Sequence, residues 1–320
     1  MLKRSKVPAK NIEMIEDFSE EMNNVVSGKI AFFRSTFIPY TKHVNFHSRC
    51  DYLQKLGALN RGKPQMGLRV LAPSGSGKST AGLEYKALVD RRRGDSANTS
   101  SVLFLPLKAA TTSKRLMVQI LRKLGDPYPD RGTEETLTYR VMQYLERRGI
   151  ELLIIDEVQH LNARSSANSD VTDTLKSFLD AGVVPIVFLG TDEGKDLFER
   201  NLQLNGRLLA PFDMPALDAS KGEERDLFAT FVHDLCAEMH NRQVFTQSND
   251  LLTEDVLACL LEVSAGVIGR VSRLFEAATE IALRRSAQSL EVQDLLVAVD
   301  RWALQQNFAQ RNPFRLLGAA

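Results

Sequence analysis

The sequence predicts an α/β fold, a parallel sheet covered by helices on both faces, followed by an all-helical region. Three observations carry that prediction. Short runs that are apolar throughout, rather than alternating, recur between helical patterns, as strands buried on two faces do. The first of these runs stops at the turn residues Pro73-Ser-Gly-Ser-Gly77 and gives way at once to a helical pattern. Beyond Pro215 the runs cease and only helical periodicity remains.

Taken in order, residues 1–60 read as an N-terminal extension whose stretch from Lys29 to Lys55 mixes aromatic and β-branched residues before a helical pattern at Tyr52, Leu53 and Leu56. Leu68 to Ala72 is the first strand and Lys78 to Arg91 the first helix behind the loop. Val102 to Leu107, Leu152 to Ile155 and Val184 to Leu189 are the next strands, with helices at Ser113 to Leu124, Glu134 to Arg148 and Thr172 to Ala181. A weaker fifth strand is expected near Ala210 to Met214, closing an α/β domain at 61–215. Helices at Lys221 to Asn241, Thr253 to Ser264, Gly269 to Ser286 and Glu291 to Gln306 then form a second domain at 216–306, with a polar tail at 307–320.

Composition narrows the function classes. At 320 residues, with 43% hydrophobic and 25% charged side chains, the chain has the make-up of a folded protein of roughly two domains. No apolar stretch approaches the ~20 residues that cross a bilayer, and the basic start MLKRSKVPAK lacks the apolar core of a secretory signal, so a cytoplasmic chain without a membrane partner is expected. The three cysteines, Cys50, Cys236 and Cys259, are widely spaced with no CxxC, as suits reduced thiols. Forty-one basic residues balance forty acidic ones, so any nucleic-acid affinity must reside in a local patch.

The strongest chemical signal is Ala72-Pro-Ser-Gly-Ser-Gly-Lys-Ser-Thr80, a phosphate-binding loop of the form GxxxxGK[ST] with Ala72 in the first glycine position. Pro73, Ser74, Gly75, Ser76 and Gly77 would cradle a triphosphate with backbone N–H groups in front of a helix N-terminus. Lys78 would reach the β and γ phosphates, Ser79 would bind Mg²⁺ and Thr80 would contact the α phosphate. Leu152-Leu-Ile-Ile-Asp156-Glu157 supplies the second signal, an apolar strand ending in two carboxylates. Asp156 suits the magnesium shell, and Glu157 suits the activation of water for attack on the γ phosphate. ATP with Mg²⁺ is therefore the expected ligand and ATP hydrolysis the expected reaction.

Over about residues 45 to 300 the chain resembles the AAA+ ATPases. The resemblance implies a P-loop core built as a five-stranded parallel αβα sandwich with a C-terminal helical lid. It also implies a polar γ-phosphate sensor after the fourth strand, where Ile186-Val-Phe-Leu-Gly-Thr191 offers Thr191 in place of the usual Asn. An arginine that reaches a neighbouring subunit's nucleotide is implied within Glu199-Arg200-Asn-Leu-Gln-Leu-Asn-Gly-Arg207, with Arg207 preferred and Arg200 second, although either arginine taken alone reads rather as a surface ion pair. A second sensor is implied at Arg270 in Ser264-Ala-Gly-Val-Ile-Gly-Arg270, with Arg273 a partner for Glu276 instead.

Within AAA+ the chain is similar to the transposition regulators of the TniB and TnsC type. The residues behind this are Phe37-Ile-Pro-Tyr-Thr-Lys, Gly67-Leu-Arg-Val-Leu, LLIIDEVQHL, FLGT, Gly206-Arg207 and Asn312-Pro-Phe314. The resemblance implies a bacterial switch that assembles with ATP as a ring or helical filament on double-stranded DNA. It further implies that a target-selection protein of the TniQ kind docks on that assembly, that a transposase is recruited, and that hydrolysis releases the oligomer.

Lys78 to Lys123 holds ten Lys or Arg against three acids. A stripe of this kind neutralises backbone phosphates without regard to sequence. Arg91, Arg92 and Arg93, then Lys108, Thr111, Thr112, Ser113 and Lys114, are its candidate contacts, although arginines at a helix end also complement the dipole and Thr112 or Ser113 also caps a helix. His233, Cys236 and His240 share a helix face at metal-like spacing, yet without an evident fourth ligand they read as packing. His160 reads as structural, and Phe32, Phe33, Phe37 and Tyr40 as the core of the extension. Two other classes share the nucleotide motifs: a replication initiator or helicase loader, and a secretion or signalling ATPase that grips protein.

Overall fold

Five-residue apolar runs become the strands of a computed structural model, which describes residues 16–94, 100–108, 110–161, 171–247 and 251–317. The basic start at 1–10 and the last three residues of the tail lie outside the described residues. In chain order the elements are α1 (Glu20–Arg34), α2 (Thr41–Leu59), β1 (Gly67–Leu71), α3 (Lys78–Arg93), β2 (Val102–Pro106), α4 (Ser113–Lys123), α5 (Glu134–Arg147), β3 (Leu152–Asp156), α6 (Val171–Asp180), β4 (Ile186–Gly190), α7 (Lys195–Arg200) and α8 (Leu202–Asn205). The helices α9 (Gly222–Asn241), α10 (Glu254–Ser264), α11 (Ile268–Arg284), α12 (Val292–Ala298) and α13 (Phe314–Leu317) follow. The chain divides into two compact units, one of residues 39–227 with 267–269, the other of residues 1–38, 228–266 and 270–320.

The first unit is a parallel sheet of order β1-β4-β3-β2, registered Gly67 to Ile186, Leu153 to Ile186 and Val102 to Leu152. Side chains alternate between two cores. Leu153, Ile155, Ile186 and Phe188 face α4, α5 and α6, whereas Ile154, Val187, Leu189 and Val70 face α2 and α3. Hence both faces are dry, and the uninterrupted apolar runs have their cause.

Among the described residues the expected five strands number four. The segment at Ala210 to Met214 runs beside β1 and bonds to it, with Leu209 N–H donating to Gly67 O at 2.7 Å, Phe212 to Arg69 O at 2.9 Å and Met214 to Leu71 O at 2.8 Å. Between Leu209 and Phe212 this segment advances three residues while β1 advances two, so the ladder skips at Ala210-Pro211. Proline has no N–H to give, which is why regular pairing fails there. Asp213 completes the contact, accepting Leu71 N–H at 2.9 Å and pairing with Arg69 at 2.8 Å.

The extension contributes α2 to this unit. Phe46, Cys50 and Leu53 are buried against the sheet, and Gln54 joins Tyr85 of α3 at 2.7 Å to Glu151 at 2.7 Å. His43, in the first turn of α2, has its Nε2 at 3.1 Å from Ser76 O in the turn after β1. Its ring stands so close that a Cβ on Gly77, whose φ is +81°, would lie 2.8 Å from the imidazole. His47 repeats the pattern one turn on, with Nε2 at 2.8 Å from Ala81 O.

In the helical unit, Ser19 caps α1 by accepting Met22 N–H at 3.2 Å, and Arg34 pairs with Glu276 at 2.7 Å. Arg285 forks onto the fully buried Asp294 with two bonds of 2.8 Å. The tail packs back on this unit: Asn312 donates to Leu296 O at 2.9 Å and Asp300 at 2.8 Å, and Phe314 is buried. No helix among the described residues is long and apolar enough to cross a membrane.

Burial lowers the His43 pKa to about 4, opposed by its bond to Ser76 O. An unfolded histidine titrates near 6.5, so between about 6.5 and 4 the unfolded chain binds the extra proton. The contribution of His43 to stability is thus whole above pH 6.5 and lost as the pH falls through that window, with a slope of at most ~1.4 kcal/mol per pH unit. Urea unfolding at pH 7 and pH 5 should show a smaller acid loss for His43→Gln than for the wild type.

Candidate functional site

Parallel strands put all their carboxyl ends at one edge of the sheet, and three of the motifs lie there. After β1 the chain turns through Pro73 to Gly77, with Ala72 N–H bonded to Gly190 O at 3.0 Å and Ser76 N–H to Pro73 O at 3.2 Å. Gly75 and Gly77 have φ of +80° and +81°, the left-handed region open to glycine without strain. Gly77 then caps α3, and Ala81 N–H donates to Gly77 O at 2.8 Å. The N–H groups at the start of α3 face this turn, as an anion requires. Lys78 is buried, whereas Ser74, Gly75 and Thr80 are exposed.

The β3 end brings the acids to the same place. Asp156 is 2% exposed, and burial pushes its pKa up against the pull of the Ser79 hydroxyl, the Glu157 N–H and the charge of Lys78. Ser79 therefore reaches from the loop's helix to the strand-end carboxylate. That hydroxyl and carboxylate are hard oxygen donors, and no group of three or more His, Cys, Asp or Glu side chains among the described residues could hold a metal by itself. A donor set this sparse fits Mg²⁺, which keeps waters and phosphate oxygens in its shell.

Glu157 leaves the strand with φ of +61°, donating its N–H to Asp156 Oδ1 at 2.9 Å. A 3-10 turn over Val158–His160 follows. Its Gln159 donates through Nε2 to the Glu157 carboxylate and accepts Thr191 N–H on Oε1 at 3.1 Å. Thr191 sits just past β4 with a buried hydroxyl that has no hydrogen-bond partner among the described residues. Gln159 and His43 were not singled out for the site from sequence. Gln159 bonds across β4 only because the turn folds back, and His43 lies 33 positions before Ser76. The one sequence trace of either is the glycine each touches, Gly190 and Gly77.

The remaining candidates lie elsewhere. Arg207 is tied to Asp180 at 2.5 Å beside Gly67, where β1 begins, so it stands at the amino edge of the sheet. Arg200, at the end of α7, forms a looser exposed pair with Asp196 at 3.4 Å and lines a cleft with Gln159, His160 and Glu193. Arg270 belongs to the helical unit, where it bonds Ser264 O at 3.4 Å and covers the Phe308 ring at 4.7 Å. Arg273 pairs with Glu276 at 3.1 Å. Cys236 and His240 line a small apolar cavity with Met239, Phe245 and Leu290.

The basic stripe is divided by the topology. Helix α3 returns from the carboxyl edge of β1 to the amino edge of β2, a rise of about 24 Å for its length. Arg91, Arg92 and Arg93 thus stand at the opposite edge of the sheet from Lys108 and Lys114. Arg91 pairs with Glu84 at 2.5 Å and Arg92 with Asp51 at 3.3 Å. Lys108 and Lys114 are exposed; Thr112 caps α4 by accepting Arg115 N–H at 3.4 Å, and Thr111 and Ser113 are buried.

Among solved structures the chain is similar to the Aeropyrum pernix ORC2 protein in ADPNP–ADP complexes, with TM-score 0.56 and 16% identity over 79% of this chain and 67% of that one. It is also similar to the Aeropyrum pernix ORC1 protein in complex with DNA, with TM-score 0.60 and 17% identity over 82% and 66%. Cdc6p from Pyrobaculum aerophilum gives TM-score 0.57 and 13% identity over 87% and 70%. The chain spans about two-thirds of the length of these proteins, and at such identities the likeness is one of fold alone. No curated protein matches. The family model described as bacterial TniB protein matches residues 30–218, more than half of the chain, and the chain belongs to the TniB family.

Proposed function

We propose that this chain is an ATP-hydrolysing regulator of DNA transposition that assembles on duplex DNA, joins a TniQ-like target-selection protein to a transposase, and is released by hydrolysis. The observation that carries the nucleotide reading is the convergence at one sheet edge of the glycine turn with its buried Lys78, the Ser79–Asp156 pair and Glu157 joined through Gln159 to Thr191. Family membership supports the transposition role. The solved ORC1 protein that shares the fold is a DNA complex by its own description, which favours duplex DNA over a protein client.

In this reading, residues 73–77 and the first turn of α3 hold the triphosphate, and Lys78 offsets charge on its β and γ groups. Ser79 and Asp156 would hold Mg²⁺, which would supply further positive charge to the phosphates. Glu157 accepts a proton from water as the water oxygen bonds to the γ phosphorus; the bond to the β–γ bridging oxygen breaks, leaving ADP, phosphate and a proton. Thr191 offers its hydroxyl to the γ phosphate. Arg207 or Arg200 completes a neighbour's site, and Arg270 serves as the second sensor. DNA is bound through Lys108 and Lys114 at the nucleotide edge, with Thr112 at the start of α4, or through Arg91, Arg92 and Arg93 at the other; Ser113, being buried, is not among the contacts.

Two outcomes are expected. Lys78→Ala should abolish ATP binding, while Glu157→Gln should bind ATP within about threefold of wild type and hydrolyse it at least about 100-fold more slowly, as loss of a general base does; a fluorescent-nucleotide titration and phosphate release read the two. Binding to a random-sequence duplex should require ATP and weaken steeply with salt, and Lys108→Ala with Lys114→Ala should flatten the slope of log K against log salt by about 1.8 units. An unchanged slope there, with a flatter one in the triple Arg91, Arg92, Arg93 alanine variant, assigns the contact to the amino edge.

A further inference from the structure

The bond pair made by Gln159 has a fixed direction. Thr191 N–H can only donate, so the amide oxygen of Gln159 must face it, at 3.1 Å. The amide nitrogen then faces the Glu157 carboxylate, which when ionised can only accept. Flipping the amide would break both bonds at once. The room for this side chain comes from Gly190, where a Cβ would lie 3.0 Å from Gln159 Oε1 and 2.6 Å from Val158 Cγ2. Glu157 itself stands on a left-handed backbone one residue past the strand, so its side chain is not aimed by β3 alone.

We infer that Gln159 is a positioning residue for hydrolysis, holding the Glu157 carboxylate through its amide nitrogen while its amide oxygen is anchored on the backbone just past β4. The inference rests on the reading of Glu157 as the water-activating base. Gln159 need not touch nucleotide; it acts through Glu157. Its position between the ends of β3 and β4 ties the carboxylate to the strand that carries Thr191, so the two groups that would meet the γ phosphate share one frame.

The test uses the full chain with Gln159→Met, which removes both arms at similar size, and Gln159→Glu, which keeps the acceptor for Thr191 N–H and replaces the donor with a like charge. Misplacing a reacting group by about 1 Å costs on the order of 100-fold in rate. Both variants should lose about 10- to 100-fold in kcat, measured with and without duplex DNA, while KM, the ATP dissociation constant and the unfolding midpoint stay near wild type. In the Glu157→Gln background, Gln159→Met should change the residual single-turnover rate less than about twofold. A kcat near wild type in either variant, a parallel rise in the dissociation constant, or a full further loss in the Glu157→Gln background overturns the inference and leaves the hydrolytic reading standing. A wild-type chain that binds but never hydrolyses ATP overturns both.

Discussion

The parallel direction of four strands is the constraint on which the rest of the molecule depends. Because β4 lies between β1 and β3, the turn after β1, the acids after β3 and Thr191 after β4 emerge side by side. Reversing any of these strands would send its motif to the opposite edge and leave a glycine turn without acids. Both cores exist to hold that order, and burying each strand on two faces requires the helices α2 and α3 on one side and α4 to α6 on the other.

Burial then sets the chemistry. Asp156 and Lys78 are nearly inaccessible, so their charges act on one another and on whatever enters the turn with little screening by water. The cost of burying Asp156 appears as its raised pKa, and the Ser79 hydroxyl and Glu157 N–H are what offset it. His43 meets the same pressure differently, remaining neutral against the underside of the turn.

Contiguous chemistry was legible in the sequence: residues 73–80, the Asp156-Glu157 pair, and the helices that begin just after Thr112, Thr133 and Thr253. Three things were less so, for different reasons. The segment at Ala210 to Met214 has the apolar content of a strand, but Pro211 withholds a donor and Asp213 supplies a side-chain acceptor in a ladder that propensity cannot count. Gln159 and His43 act across distances in the chain that no local period encodes. Arg91 to Lys114 reads as one stripe because sequence proximity hides that the intervening strand β2 carries its halves to opposite edges.

The skipped ladder beside β1 has a bearing on how copies of this chain can associate. An unpaired strand edge invites another strand to extend the sheet. Here that edge of β1 is occupied by an irregular segment that contains a proline and a carboxylate committed to Arg69 and Leu71. Direct pairing of a further strand with β1 on this side is therefore foreclosed, and copies of the chain that met here would recognise one another by side chains. Such contacts can be broken and remade without unfolding either copy, a property that a reversible assembly needs and a fused sheet does not have.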